Sequence, residues 1–266
     1  MSETTPFERG QAARRRGDPS PDQGDTWAER LFRRGWWAED RAITARQDTE
    51  NPDMANTVRS AIEHTALAAT TTQGDVERVC DEAHAHGFAG VCVPGRFVDA
   101  AVERRARQRA HYRIVTVAGF PLGHDRPEAK IAEARSAVTC GADHVDMVLA
   151  HAAFADALRR NDRDDLRAVE SEVRQTVQAM FRTNPAAELK VILETGALAD
   201  PELIAEASRL CRRAGAHWIK TSTGFGPRGA TVADIKTMAA AVDGALKIKA
   251  AGGIRTLTDA QALIAA

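Results

Sequence analysis

The chain has 266 residues, 27% of them charged, with 36 Lys and Arg against 37 Asp and Glu and a formal net charge of −1. So even a balance gives no global field that would draw it to nucleic acid or to a membrane surface, and no apolar run is long enough to span a bilayer. The four cysteines (Cys80, Cys92, Cys140 and Cys211) form neither a C-x-x-C pair nor a zinc spacing with histidine, which predicts reduced thiols in a cytoplasmic protein and no metal site.

Residues 1 to about 55 differ in character from the rest and read as a charged extension to a domain over 56–266. The start is polar, with Arg14-Arg15-Arg16 followed by Gly, Asp, Pro and Ser, a composition that predicts disorder. Trp27 with Leu31, and Phe32 with Trp36, stand at helical spacing. They predict a short amphipathic helix docked on the domain, on a second subunit or on a partner.

From Thr57 onward strand-like apolar runs alternate with helix-like stretches. The pattern predicts strands at 62–65, 89–93, 113–118 and 144–149, followed in turn by helices at 73–86, 96–110, 127–140 and 164–182. It continues with strands at 189–194, 217–221 and 246–251 and helices at 201–213, 231–242 and 258 to the end. Such alternation with short connections specifies a parallel sheet covered by helices, and the Val- and Ile-rich runs suit strands buried on both faces. Pro127 and Pro201 fit first helical positions, with Asp200 as N-cap before the latter.

Four glycines at expected helix ends share one offset: Gly87, Gly141, Gly215 and Gly244 precede Cys92, Asp146, Lys220 and Lys249 by five residues each. Equal offsets give equal facing, because side chains alternate along a strand. One aspartate and two lysines then converge at the C-terminal end of the sheet, where α/β enzymes carry their active sites.

Lys220 ends the apolar run Trp218-Ile219 and is followed by Thr221-Ser222-Thr223-Gly224-Phe225-Gly226. Apolar surroundings and a neighbouring Lys249 both disfavour an ammonium, leaving a nucleophilic amine that can form an imine with a carbonyl compound. Asp146 is suited to the proton transfers that imine chemistry needs. The glycine turn offers backbone N–H groups to an anion, and Gly252-Gly253-Ile254-Arg255-Thr256 before a helix reads as a phosphate loop. The same residues also fit a lysine that snorkels into water, or a buried Lys–Asp–Lys network that only fixes the sheet. Lys190 and Glu194 can face the interior as a structural ion pair, with Lys247 one step deeper than Lys249; Cys92 reads as a small buried side chain near the site.

The segments Ile62-Glu63-His64-Thr65, Val91-Cys92-Val93-Pro94, Val117 to Gly123, Gly141 to Val148, Lys190 to Gly196, Ile219 to Gly226 and Ile248 to Thr256 resemble, in order, those of the deoxyribose-phosphate aldolase family. The resemblance implies a TIM (β/α)8-type barrel and a class I aldolase interconverting 2-deoxy-D-ribose 5-phosphate with glyceraldehyde 3-phosphate and acetaldehyde. By position it makes Lys220 the Schiff-base lysine, Lys249 the second lysine and Asp146 the proton-transfer acid. Thr65, Cys92, Thr223, Gly224, Gly252 and Gly253 would line the substrate and phosphate site. No cofactor is implied, and the partner is a small phosphorylated sugar rather than nucleic acid or membrane, with a homo-oligomer left open. Glu63 stands where the family usually has Asp, a charge-preserving change expected to matter little. The family pattern continues past Ala266 with an eighth strand and a Gly/Ser-rich loop. About seven β/α units are therefore expected here, in a barrel truncated at its C-terminus, with activity reduced or lost. Another class I barrel aldolase and an inactive binding fragment are the alternatives.

Overall fold

The computed structural model describes residues 52–266, so the expected tryptophan-containing helix of the extension lies outside the described residues. Seven parallel strands form one sheet in sequence order: β1 (Glu63–Thr65), β2 (Gly90–Cys92), β3 (Arg113–Ala118), β4 (His144–Val148), β5 (Glu188–Ile192), β6 (Trp218–Lys220) and β7 (Lys247–Lys249). The helices between and around them are α1 (Pro52–Arg59), α2 (Gln73–His86), α3 (Val98–Gln108), α4 (Pro127–Thr139), α5 (His151–Arg159), α6 (Arg163–Thr183), α7 (Thr195–Leu198), α8 (Pro201–Ala214), α9 (Val232–Val242) and α10 (Leu257–Ile264). The sheet curls far enough for Lys249 on β7 to meet Glu63 on β1. Among the described residues no helix is long and apolar enough to cross a membrane.

Alternation along the strands separates two chemistries. Val91, Ile114, Val145, Met147, Leu189, Val191 and Ile219 join helix residues such as Val79, Val173 and Leu210 in the apolar core. The opposite face, toward the barrel axis, carries Glu63, Asp146, Lys190, Lys220 and Lys249, which contact one another. A sheet buried on both faces thus keeps its oil outside and its charge inside.

Helix ends follow local chemistry. Thr72 and Asp75 form a capping box at the start of α2, and Asp200 caps α8 ahead of Pro201. Gly87, Gly141, Gly215 and Gly244 all hold positive φ (68°, 98°, 85° and 71°), as the shared αβ turn requires. α5 and α7 were not expected. α5 has no side-chain cap to mark its start in the sequence, and it is separated from α6 by Asn161 at φ 53° and the Asp162 N-cap. α7 follows directly on Glu194, whose φ of 54° takes it out of the strand; this corrects the expectation that β5 runs to residue 194 with Glu194 facing the interior beside Lys190.

A buried ion pair ties α4 to α6. The Lys130 ammonium, fully buried, donates to Glu172 Oε1 at 2.7 Å and to Val148 O at 3.0 Å, fixing the carbonyl that ends β4. Removing one partner leaves the other charge uncompensated. K130M should therefore cost about 3–5 kcal/mol, and K130M/E172L should recover most of it, as read from urea unfolding midpoints.

Candidate active site

Asp146 stands in the middle of β4 with no exposed surface. Lys220 Nζ donates to its Oδ2 at 2.7 Å, Lys249 Nζ reaches the same oxygen at 3.4 Å, and Lys190 Nζ donates to Oδ1 at 2.9 Å. Glu63 is the second carboxylate, contacting Lys249 through Oε2 and Lys190 through Oε1 at 3.2 Å. The structure therefore brings Lys220, Lys249 and Asp146 together as expected. It places them differently in register, however: Asp146 pairs with Lys190, and Lys220 with Lys249, so Asp146 lies two residues deeper than the two lysines that reach it. Long lysine side chains cover that difference across staggered strands.

Three amines share two carboxylates here, so one positive charge is in excess if all are ionised. Burial works against the Asp146 carboxylate, but Lys190, Lys220 and Lys249 outweigh it and hold the group well below the usual carboxylate range. Glu63 is likewise lowered against its burial, by the His144 imidazole and then by Lys249 and Lys190. Burial tends to strip the proton from Lys249, yet Asp146 and Glu63 prevail and raise it above the ordinary lysine value. Lys249 is thus held as the ammonium in the resting site. Lys220 touches one carboxylate, where Lys190 and Lys249 each touch two. This corrects the expectation of apolar surroundings for Lys220, which sits in a charged cluster.

Cys92 is fully buried, and burial followed by the nearby Asp146 pushes its thiol up to about 11, which keeps it a protonated space-filler. Thr65 is exposed at the end of β1, its hydroxyl donating to Glu63 O at 2.9 Å. The two glycine turns are stitched together: Thr221 Oγ1 donates to Ala251 O and accepts from Ala251 N, and Ala230 N donates to the carbonyls of Ala251 and Gly252. A Cβ at Gly229 would stand 2.1 Å from Gly252 O, so glycine alone permits this approach. Gly224, Gly252 and Gly253 hold positive φ, the geometry that turns successive N–H groups toward a concavity.

Thr223 is less open than expected, because its N–H and its hydroxyl both go to Glu194 Oε2, at 3.1 and 2.5 Å. Ser222 was not singled out in the sequence, yet its buried hydroxyl has no hydrogen-bond partner and its Cβ lies close to Gly252. Its place between Thr221 and Thr223 was the available signal.

The shifted carboxylates tie stability to pH. Glu63 and Asp146 are lowered on folding, so their contribution is full above the unfolded carboxylate range near pH 4 and is lost as pH falls through the folded values. Lys249 is raised, so its contribution is full below about pH 10 and is lost as pH rises through its folded value. Urea midpoints should form a plateau between these limits. E63Q should lower the plateau by about 3–5 kcal/mol and weaken its acid dependence.

Comparison with known proteins agrees with this architecture. Residues 44–266 match the model of the DeoC/LacD family aldolases. A deoxyribose-phosphate aldolase of Thermus thermophilus is 45% identical over 194 residues, or 73% of this chain and 82% of that protein. The solved aldolase QR15 aligns with a TM-score of 0.68 at 33% identity, covering 78% of this chain and 87% of that one. The tetrameric deoxyribose phosphate aldolase of Aeropyrum pernix aligns with a TM-score of 0.70 at 26% identity, covering 84% and 89%. With a parallel sheet of β/α units and a lysine–aspartate cluster at its centre, the chain belongs to the DeoC/LacD aldolase family.

Proposed function

We propose that the chain cleaves 2-deoxy-D-ribose 5-phosphate reversibly to glyceraldehyde 3-phosphate and acetaldehyde through a Schiff base on Lys220. The observation that carries this reading is the shared Asp146 oxygen, on which the Lys220 amine and the Lys249 ammonium meet. Imine formation needs Lys220 as the free amine, and it is the lysine of the cluster that touches only one carboxylate. That amine attacks the aldehyde carbon of the open-chain sugar to give a carbinolamine. Proton transfer to the departing hydroxyl, from Lys249 or through Asp146, releases water and leaves the iminium.

The iminium then acts as the electron sink. A base takes the proton from the C3 hydroxyl, the C2–C3 bond breaks, and its electron pair forms the enamine as glyceraldehyde 3-phosphate leaves. Asp146, held as a carboxylate, suits the base; proton return to the enamine carbon and hydrolysis release acetaldehyde and restore the amine. The turns at Ser222–Gly226 and Gly252–Gly253 would hold the phosphate by backbone N–H groups, with the unpartnered Ser222 hydroxyl beside them.

Borohydride reduction in the presence of deoxyribose 5-phosphate or acetaldehyde should fix a two-carbon adduct on Lys220. K220M should lose both adduct and turnover, and D146N should lower kcat by about 10²–10⁴-fold. An adduct on another lysine, or turnover surviving in K220M, would overturn the assignment.

A further inference from the structure

The chemistry above is worked at the C-terminal ends of the strands. At the other end, Arg113, His144, Glu188 and Lys247, the first residues of β3, β4, β5 and β7, line a polar cavity of about 320 Å³ with Arg105 and Asp143. Most charge there is paired internally: Arg105 with Asp143 at 2.5 Å, and Lys247 with Glu188 at 2.9 Å. His144 is different. Its side chain is 5% exposed, and its Nδ1 is buried with no hydrogen-bond partner. Nδ1 lies 3.7 Å from Glu63 Oε1, and Nε2 lies 3.4 Å from Glu188 Oε2. The imidazole thus stands between a carboxylate of the mouth, 26% exposed, and one inside the lysine cluster, 6% exposed.

Filling that space needs no ionisable group, and Trp218, with its ring centroid 6.0 Å away, already supplies apolar bulk. An imidazole adds the ability to accept a proton at one nitrogen while releasing one from the other. The remaining charged groups around it are Lys190 from β5, Arg113 from β3, and His217 and Lys247 next to β6 and on β7. Lys190 touches Glu63 Oε1 at 3.2 Å, and Lys247 and the Trp218 indole N–H donate to Glu188, but of these groups the imidazole is the one within 4 Å of both carboxylates.

We propose that His144 is a positioning residue that conducts protons between solvent at the strand N-termini and the buried cluster, so that the cluster is reprotonated from behind while substrate fills the front. When Lys249 has given a proton to substrate, the Nδ1–H of His144 passes one to the Glu63 carboxylate, which carries it on to the Lys249 amine. Nε2 takes a proton from water at the mouth in the same step, beside the Glu188 carboxylate. One proton enters for each one spent, and no other bond changes. The long Nδ1 approach is of the kind that tightens during turnover or is bridged by one water.

The conduit rests on the aldolase reading for its use in turnover, but its test does not. In protein labelled with ¹⁵N-lysine, hydrogen exchange of the Lys190 and Lys249 ammonium groups should slow by about tenfold or more in H144Q, a small part of what a positioned acid–base group supplies. E188Q, altered at the mouth, should slow it less and serves if H144Q does not fold. In turnover, H144Q should lower kcat with a larger solvent isotope effect and an unchanged KM, and the Lys220 adduct should still form. Exchange as fast in the folded variants as in the parent overturns the conduit. Absence of any Lys220 adduct in the parent overturns the aldolase reading instead, and the exchange rates still decide on His144.

Discussion

Asp146 carries a negative charge into a place with no solvent access, and three lysines converge on it. An ion buried alone costs several kcal/mol even after relaxation, so the neighbouring strands are constrained to supply amines at that height. Once they do, the amines are in excess and Glu63 on β1 is needed as well. The charge ledger of the interior thus links β1, β4, β5, β6 and β7, and the apolar faces of those strands hold it in register against the helices. Lys220 is the amine with the fewest carboxylate contacts in that cluster, the feature on which the proposed Schiff base rests.

Much of this was legible in the sequence. Short apolar runs and glycine-ended helices located the seven strands, because local backbone chemistry and burial set those features. The common offset to Asp146, Lys220 and Lys249 reported facing correctly, since facing depends on parity along a strand. It could not report height, since neighbouring strands of a curled sheet are staggered and Asp146 is two residues deeper.

The less legible features are those made across the barrel. Glu63 looked like a conservative replacement for Asp, but its extra methylene belongs to a side chain that contacts both Lys249 and Lys190. Glu194 read as a strand residue; a left-handed backbone turns it instead toward Thr223, whose N–H and hydroxyl it accepts. His144 lies in the Gly141–Val148 segment, where Asp146 drew the attention. Its meaning comes from Glu63 and Glu188, which lie far from it in the chain and on either side of its ring.

The meeting of Lys249 and Glu63 has one more implication. It joins the last strand of the sheet to the first, where no backbone ladder runs among the described residues. A side-chain clasp yields more readily than a row of amide hydrogen bonds. Small breathing movements that part β1 from β7 would draw Glu63 away and leave the Lys249 ammonium leaning on Asp146, in competition with Lys220. The curvature of the sheet and the contacts of the central amines therefore meet in one side chain, Lys249.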